Sequence, residues 1–83
     1  MLRSDIKMRY HDGTRFKVTI LDGAGKPFAN QNVTFNINGV FYHRTTKDDG
    51  SASLAINLMA GEYIITSTYN SLNVSNKVTI SWD

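Results

Sequence analysis

An all-β fold, a two-layer antiparallel sandwich of about seven strands, is what this 83-residue sequence predicts. Three observations predict it. Apolar residues recur with period two in several short runs, and turn-forming clusters separate those runs at regular spacing. No segment keeps a 3.6-residue apolar period long enough for a helix. Composition agrees, because Thr, Asn and Ser are abundant while long stretches of Ala, Glu, Leu and Lys are missing.

The register is anchored in the stretch from Asn32 to Thr46. Two β-prone runs meet there at Asn38-Gly39, the pair that best tolerates the positive φ needed at both central positions of a type I′ turn. With a two-residue loop, directly opposed residues share a face. Ile37 then faces Val40, Phe35 faces Tyr42, and Val33 faces Arg44. The core face becomes Val33, Phe35, Ile37, Val40 and Tyr42, and Phe41 and His43 turn outward.

The other elements follow in order. Ile6, Met8 and Tyr10 alternate with Lys7 and Arg9 in a first strand, closed by a turn at His11-Asp12-Gly13. Phe16, Val18 and Ile20 alternate with Lys17 and Thr19 in a second. The turn cluster Asp22–Pro27 holds the only proline, outside any ladder. After the hairpin, Lys47-Asp48-Asp49-Gly50 makes a tight connection in which Gly50 is free to take positive φ. Ala52, Leu54, Ile56 and Leu58 alternate with polar or small residues in a fifth strand. Tyr63, Ile65, Ser67 and Tyr69 face one way along the sixth. Asn70-Ser71 turns the chain into a seventh, whose inward phase is Val74, Asn76, Val78, Ile80 and Trp82. Tyr63, at the start of the penultimate strand, is placed where sandwiches tie down a crossover with a tyrosine hydroxyl, or is simply core.

Composition bounds the function. Eighty-three residues make one domain, near the size below which a core usually needs staples. There is no cysteine for a disulfide or a thiolate metal site. A net charge of +2 comes from scattered basic residues with no run marking a nucleic-acid arm, so no nucleic-acid partner is expected. No apolar stretch approaches a membrane span, and no signal-peptide core follows Met1, so no direct membrane insertion is expected either. A strand so soon after Met1 suggests an excised domain.

No catalytic residues are assigned. His11 falls in a turn and His43 on an outward face, away from any nucleophile, and no Gly-x-Ser-x-Gly elbow is present. The reading is a non-enzyme without cofactor. Asp12, Asp22, Asp48 and Asp49 are weighed as calcium ligands at the loop ends. Each lies in a turn, where Asp is favoured for backbone reasons alone, and no metal site is assigned. Asn32-Val33-Thr34 and Asn73-Val74-Ser75 match the N-glycosylation pattern, Asn73 being the better placed near a turn.

The run from Leu21 to Phe35 resembles the "D-x-x-G-K-P-L-A-x-x-x-V-x-F" opening of bacterial-type Ig-like repeats, most closely those of adhesin-like surface proteins of methanogenic archaea. Arg44–Ala52 is similar to their "T-T-D-x-x-G-x-A" turn, Gly61–Thr66 to their "G-x-Y-x-I-T", and Val74–Ile80 to their last strand. The likeness covers the chain from about residue 7 onward, though Leu58-Met59-Ala60 stands where the family commonly has proline. The resemblance implies an Ig-like sandwich spanning residues 1–83, one repeat of a longer extracellular, cell-surface protein, with neighbouring repeats as partners. It implies a stalk or spacer role, with adhesion as an alternative. Some Ig-like surface modules also carry a Lys–Asn cross-link promoted by a protonated acid. Asn76 is on the inward phase, but Lys7 and Lys17 are outward and Glu62 alternates away from Tyr63, so no cross-link is expected.

The outer face carries the one hint of binding. Phe41, His43 and Ile64 form a candidate site there, with Leu72 also exposed. Aromatic side chains on a sheet stack on sugar rings, and exposed apolar patches mark contacts, so the partner is cell-surface carbohydrate or protein. The competing reading is a repeat-to-repeat contact, or a one-residue slip that returns Phe41 to the core.

Overall fold

A computed structural model describes residues 1–82. It contains seven strands: β1 (Ile6–Arg9), β2 (Arg15–Thr19), β3 (Asn32–Ile37), β4 (Val40–Thr45), β5 (Ser51–Ala55), β6 (Gly61–Tyr69) and β7 (Leu72–Ser81). They form two sheets, a five-stranded one in the order β1-β7-β6-β3-β4 and a two-stranded one of β2 and β5. The fold is the all-β sandwich that the alternation predicts.

The hairpin sets the register as expected. Asn38 and Gly39 take φ of 54° and 77°, and Ile37, Phe35 and Val33 pair with Val40, Tyr42 and Arg44. Inward residues of both sheets close one core around Phe16 of β2 and Phe35 of β3. Their rings meet edge to face across the layers at 5.9 Å. A T-shaped contact of this kind adds roughly 0.5–1.5 kcal/mol to the apolar burial of the two rings. Tyr63 packs against this core and its hydroxyl donates to the Met59 carbonyl at 2.8 Å, tying the β5–β6 crossover to the strand it feeds.

Three expectations are corrected. The sandwich is not wholly antiparallel, because β1 pairs with β7 in parallel, Ile6 beside Val78 through Arg9 beside Ser81. Strand β5 ends at Ala55, where its partner β2 begins at Arg15, although Ile56 beyond it is still buried. Finally, Trp82 and Val40 are not core; they are 61% and 47% exposed. Both keep the inward phase, but the ten-residue β7 and the β4 edge outrun a second layer only five residues long. A correct phase buries a side chain only where an opposing layer exists.

The parallel pair follows from the path of the N-terminal segment. Leu2 exchanges two 2.8 Å backbone hydrogen bonds with Thr19 on the small sheet, and the chain then crosses to the large sheet to form β1. Asp5 secures the crossing, its Oδ1 accepting the Lys77 N–H at 3.0 Å and the Asn76 side-chain amide at 2.9 Å. Loops 10–14, 38–39 and 56–60 and Trp82 gather at one pole of the sandwich. Leu2 lies at the other pole, with loops 20–31, 46–50 and 70–71, and the molecule extends 41 × 21 × 16 Å.

Candidate binding face

The outward positions of the five-stranded sheet form a grid. In one row His43, Thr34, Thr68 and Asn73 align across β4, β3, β6 and β7. In the next row stand Phe41, Asn36, Thr66 and Ser75. Six of the seven polar members pair with one another. Thr34 Oγ1 and His43 Nδ1 lie 3.1 Å apart, Thr66 and Ser75 share a 3.1 Å hydroxyl contact, and the Thr68 hydroxyl donates to Asn73 Oδ1 at 2.6 Å. Neighbouring cross-strand pairs of this kind are worth some tenths of a kcal/mol each and stiffen the face.

Phe41, 63% exposed, and His43 project side by side from β4, as the hairpin register predicts. Ile64, 59% exposed, shares the face but does not join them. It sits opposite Lys77 and beyond the end of the β3 ladder, two strands from β4, so roughly 10 Å of polar sheet separates it from Phe41 at about 4.8 Å per strand. The face is a polar wall with isolated apolar studs. Lys77 is held by Glu62 at 3.3 Å, an exposed pair that contributes little.

Three of the four loop aspartates, Asp12, Asp22 and Asp49, are engaged by the backbone. Asp12 accepts the N–H groups of Arg9 and Thr14, Asp22 those of Ala24 and Lys26, and Asp49 both the hydroxyl and the N–H of Ser51. The Thr14 hydroxyl and backbone hold the Asp12 carboxyl below its ordinary value, and the Ser51 hydroxyl does the same for Asp49. Among the described residues, no three His, Asp or Glu side chains gather as a metal site. The acid that reaches Asn76 is Asp5, which the Lys77 N–H and the Asn76 amide hold ionised, opposite to the protonated acid that a Lys–Asn cross-link needs. Asn32 and Asn73 lie exposed at the first position of β3 and the second of β7, their side-chain oxygens accepting from Thr45 and Thr68.

Two features escape the sequence reading. A half-buried Tyr10 and the exposed His11 and Trp82 form an aromatic cluster at the pole where β1 and β7 end. Tyr10 stacks on His11 at 3.8 Å and meets Trp82 at 4.5 Å. The available signal is length, since the last alternating run is far longer than those of β2 and β5. The second feature is a slot of about 190 Å³ between β4 and β5, lined by Ile37, Tyr42, Arg44, Leu54, Ile56 and Leu58 among others. Comparison with protein-family models, with curated proteins and with solved structures finds no match to this chain.

Proposed function

We propose that this chain is a non-catalytic spacer module of an adhesin-like protein at the cell surface, set between neighbouring repeats that are its partners. One observation carries the reading. The first and last strands are parallel neighbours, so Leu2 and Trp82 stand at opposite poles of the long axis. A module of that topology adds its length to a stalk, whereas one with adjacent ends folds the stalk back. A load applied between those poles slides β1 against β7, so their shared hydrogen bonds resist together rather than one at a time. The test is small-angle scattering on two copies joined in tandem. The reading expects a maximum dimension near twice that of one copy, and a value near that of one copy overturns it.

A second reading, adhesion through the outer face, is favoured by the exposure of Phe41 and Ile64 on a sheet whose other outward groups are mostly polar. Its ligand class is carbohydrate or a surface protein, with Phe41 as the stacking platform and His43 beside it. An amide NMR titration with cell-wall and host polysaccharides tests it for sugars. Shifts centred on Phe41 and His43 support binding, and a silent spectrum across the panel removes the carbohydrate form of this reading.

A further inference from the structure

The two sheets have four edge strands, and three of them are defended; β2 is clipped by Leu2 at Thr19 and carries Arg15 and Lys17. Edge strands expose unpaired N–H and C=O groups, and proteins blunt them with charges or with inward-pointing charged side chains. Strand β1 carries Lys7 and Arg9, and β4 carries Arg44 on its inward phase, opposite Val33. Strand β5 reads Ser-Ala-Ser-Leu-Ala, with no charge, no proline and no bulky outward side chain.

The direction of its backbone groups follows from its neighbours. Gly50 accepts the Ile20 N–H at 2.8 Å on the β2 side, and the Ser51 carbonyl accepts the Lys47 N–H at 2.9 Å on the other. Antiparallel pairs alternate, so Ala52 and Leu54 bond to β2 while Ser53 and Ala55 aim theirs at the open edge. Beside that edge lies the slot, with Tyr42 and Arg44 on its β4 wall and Leu54, Ile56 and Leu58 on its β5 wall. The Arg44 guanidinium stands 5.8 Å from the Tyr42 ring and donates once, to the His43 carbonyl at 2.8 Å. It has no carboxylate partner among the described residues.

We propose that the β5 edge and this slot bind an extended peptide strand of a partner protein, adding a third strand to the small sheet. The backbone of Ser53 and Ala55 supplies the ladder, the mode by which exposed sheet edges capture peptides. The slot has room for one large apolar side chain. Because Tyr42 and Arg44 are two residues apart on β4, the strand that fits has an apolar residue and an acidic residue two positions apart, both turned toward β4. Arg44 reads the acid through donors that the fold leaves open. This site is separate from the outer face and does not depend on what that face does.

The probes are short synthetic peptides of alternating threonine and valine that carry leucine and aspartate two positions apart. A matched peptide has lysine in place of the aspartate. Amide NMR titration is expected to show shifts and slowed exchange at Ser53 and Ala55, with shifts at Tyr42, and the lysine peptide is expected to bind about tenfold more weakly. Arg44→Glu inverts that preference. Ser53→Pro, which removes the outward N–H together with the hydroxyl that accepts from Arg15 Nε at 3.1 Å, abolishes binding; should that variant misfold, the Arg44→Glu inversion still decides. No response at β5 with millimolar peptide, or a response indifferent to Arg44→Glu, overturns the proposal. Exchange protection at Ser53 that rises with protein concentration and no peptide also overturns it, by making the edge a contact between copies.

Discussion

Replacing Gly50 with alanine probes the tightest backbone approach at any glycine of the chain. Gly50 has a φ of +76°, and a Cβ there lies 2.6 Å from the Ile20 carbonyl oxygen, 3.0 Å from the Phe28 nitrogen and 3.1 Å from the Pro27 Cα. All three are backbone atoms, so no side chain can swing aside. The left-handed conformation costs an L-residue about 1–2 kcal/mol. The Ile20 oxygen also accepts the Phe28 N–H at 2.9 Å, and displacing it forfeits a bond worth about 1 kcal/mol. With the strain of moving two loops, the sum is about 2–4 kcal/mol, against about 4–12 kcal/mol for a domain of this length. At about 4–8 °C per kcal/mol, Tm falls by roughly 10–30 °C. Thermal and urea unfolding followed by circular dichroism measure this, with Gly25→Ala as the reference. Gly25 has a φ of +78° but open space around its Cβ, so that variant pays the conformational cost alone. A Gly50→Ala protein no less stable than Gly25→Ala refutes the reasoning.

Four further outcomes are expected. Phe35→Ala costs about 3–5 kcal/mol in urea unfolding, since the ring is fully buried at the centre of the core, while Trp82→Ala costs no more than about 1.5 kcal/mol for its contact with Tyr10. Thr46→Val costs about 1–3 kcal/mol by the same assay, because the Thr46 hydroxyl donates to the Phe28 carbonyl at 2.7 Å and accepts the Gln31 N–H at 2.8 Å in the β2–β3 loop. Tyr63→Phe costs about 1 kcal/mol through the lost bond to Met59. Acid weakens the fold: Asp5, Asp12 and Asp49 are all held below the ordinary value of 3.8 in the folded state, so their contribution is present above that value and fades as pH falls through the lowered ones. Tm measured from pH 7 to pH 2 therefore drops chiefly below about pH 4, and Asp12→Asn flattens the drop.

What was legible in the sequence is what period and turn chemistry encode. Asn38-Gly39 dictated a register that matches residue for residue, and with it the outward placement of Phe41 and His43. The inward phase of Ile65 and Ser67 is likewise visible in alternation alone. Pairing partners are not. The bond of β1 to β7 joins residues some seventy positions apart, and nothing local to Ile6 marks Val78 as its neighbour or the pairing as parallel. Layer size is equally hidden, which is why Trp82 and Val40 read as core. For the candidate face, phase placed Ile64 outward, but only the ladder offsets separate it from Phe41. The slot at β5 depends on which edge stays open, a property of the assembled sheets.

The measurement that bears most directly on the spacer account is single-molecule pulling in two geometries. Held by its two ends, the chain should first lose the Leu2–Thr19 clip and then resist strongly as β1 and β7 shear. A His11→Cys handle paired with the C-terminal end instead pulls the same two strands apart from the pole where both finish, one hydrogen bond after another. The account predicts a several-fold higher force in the end-to-end geometry at equal loading rate. Equal or lower force end to end contradicts it.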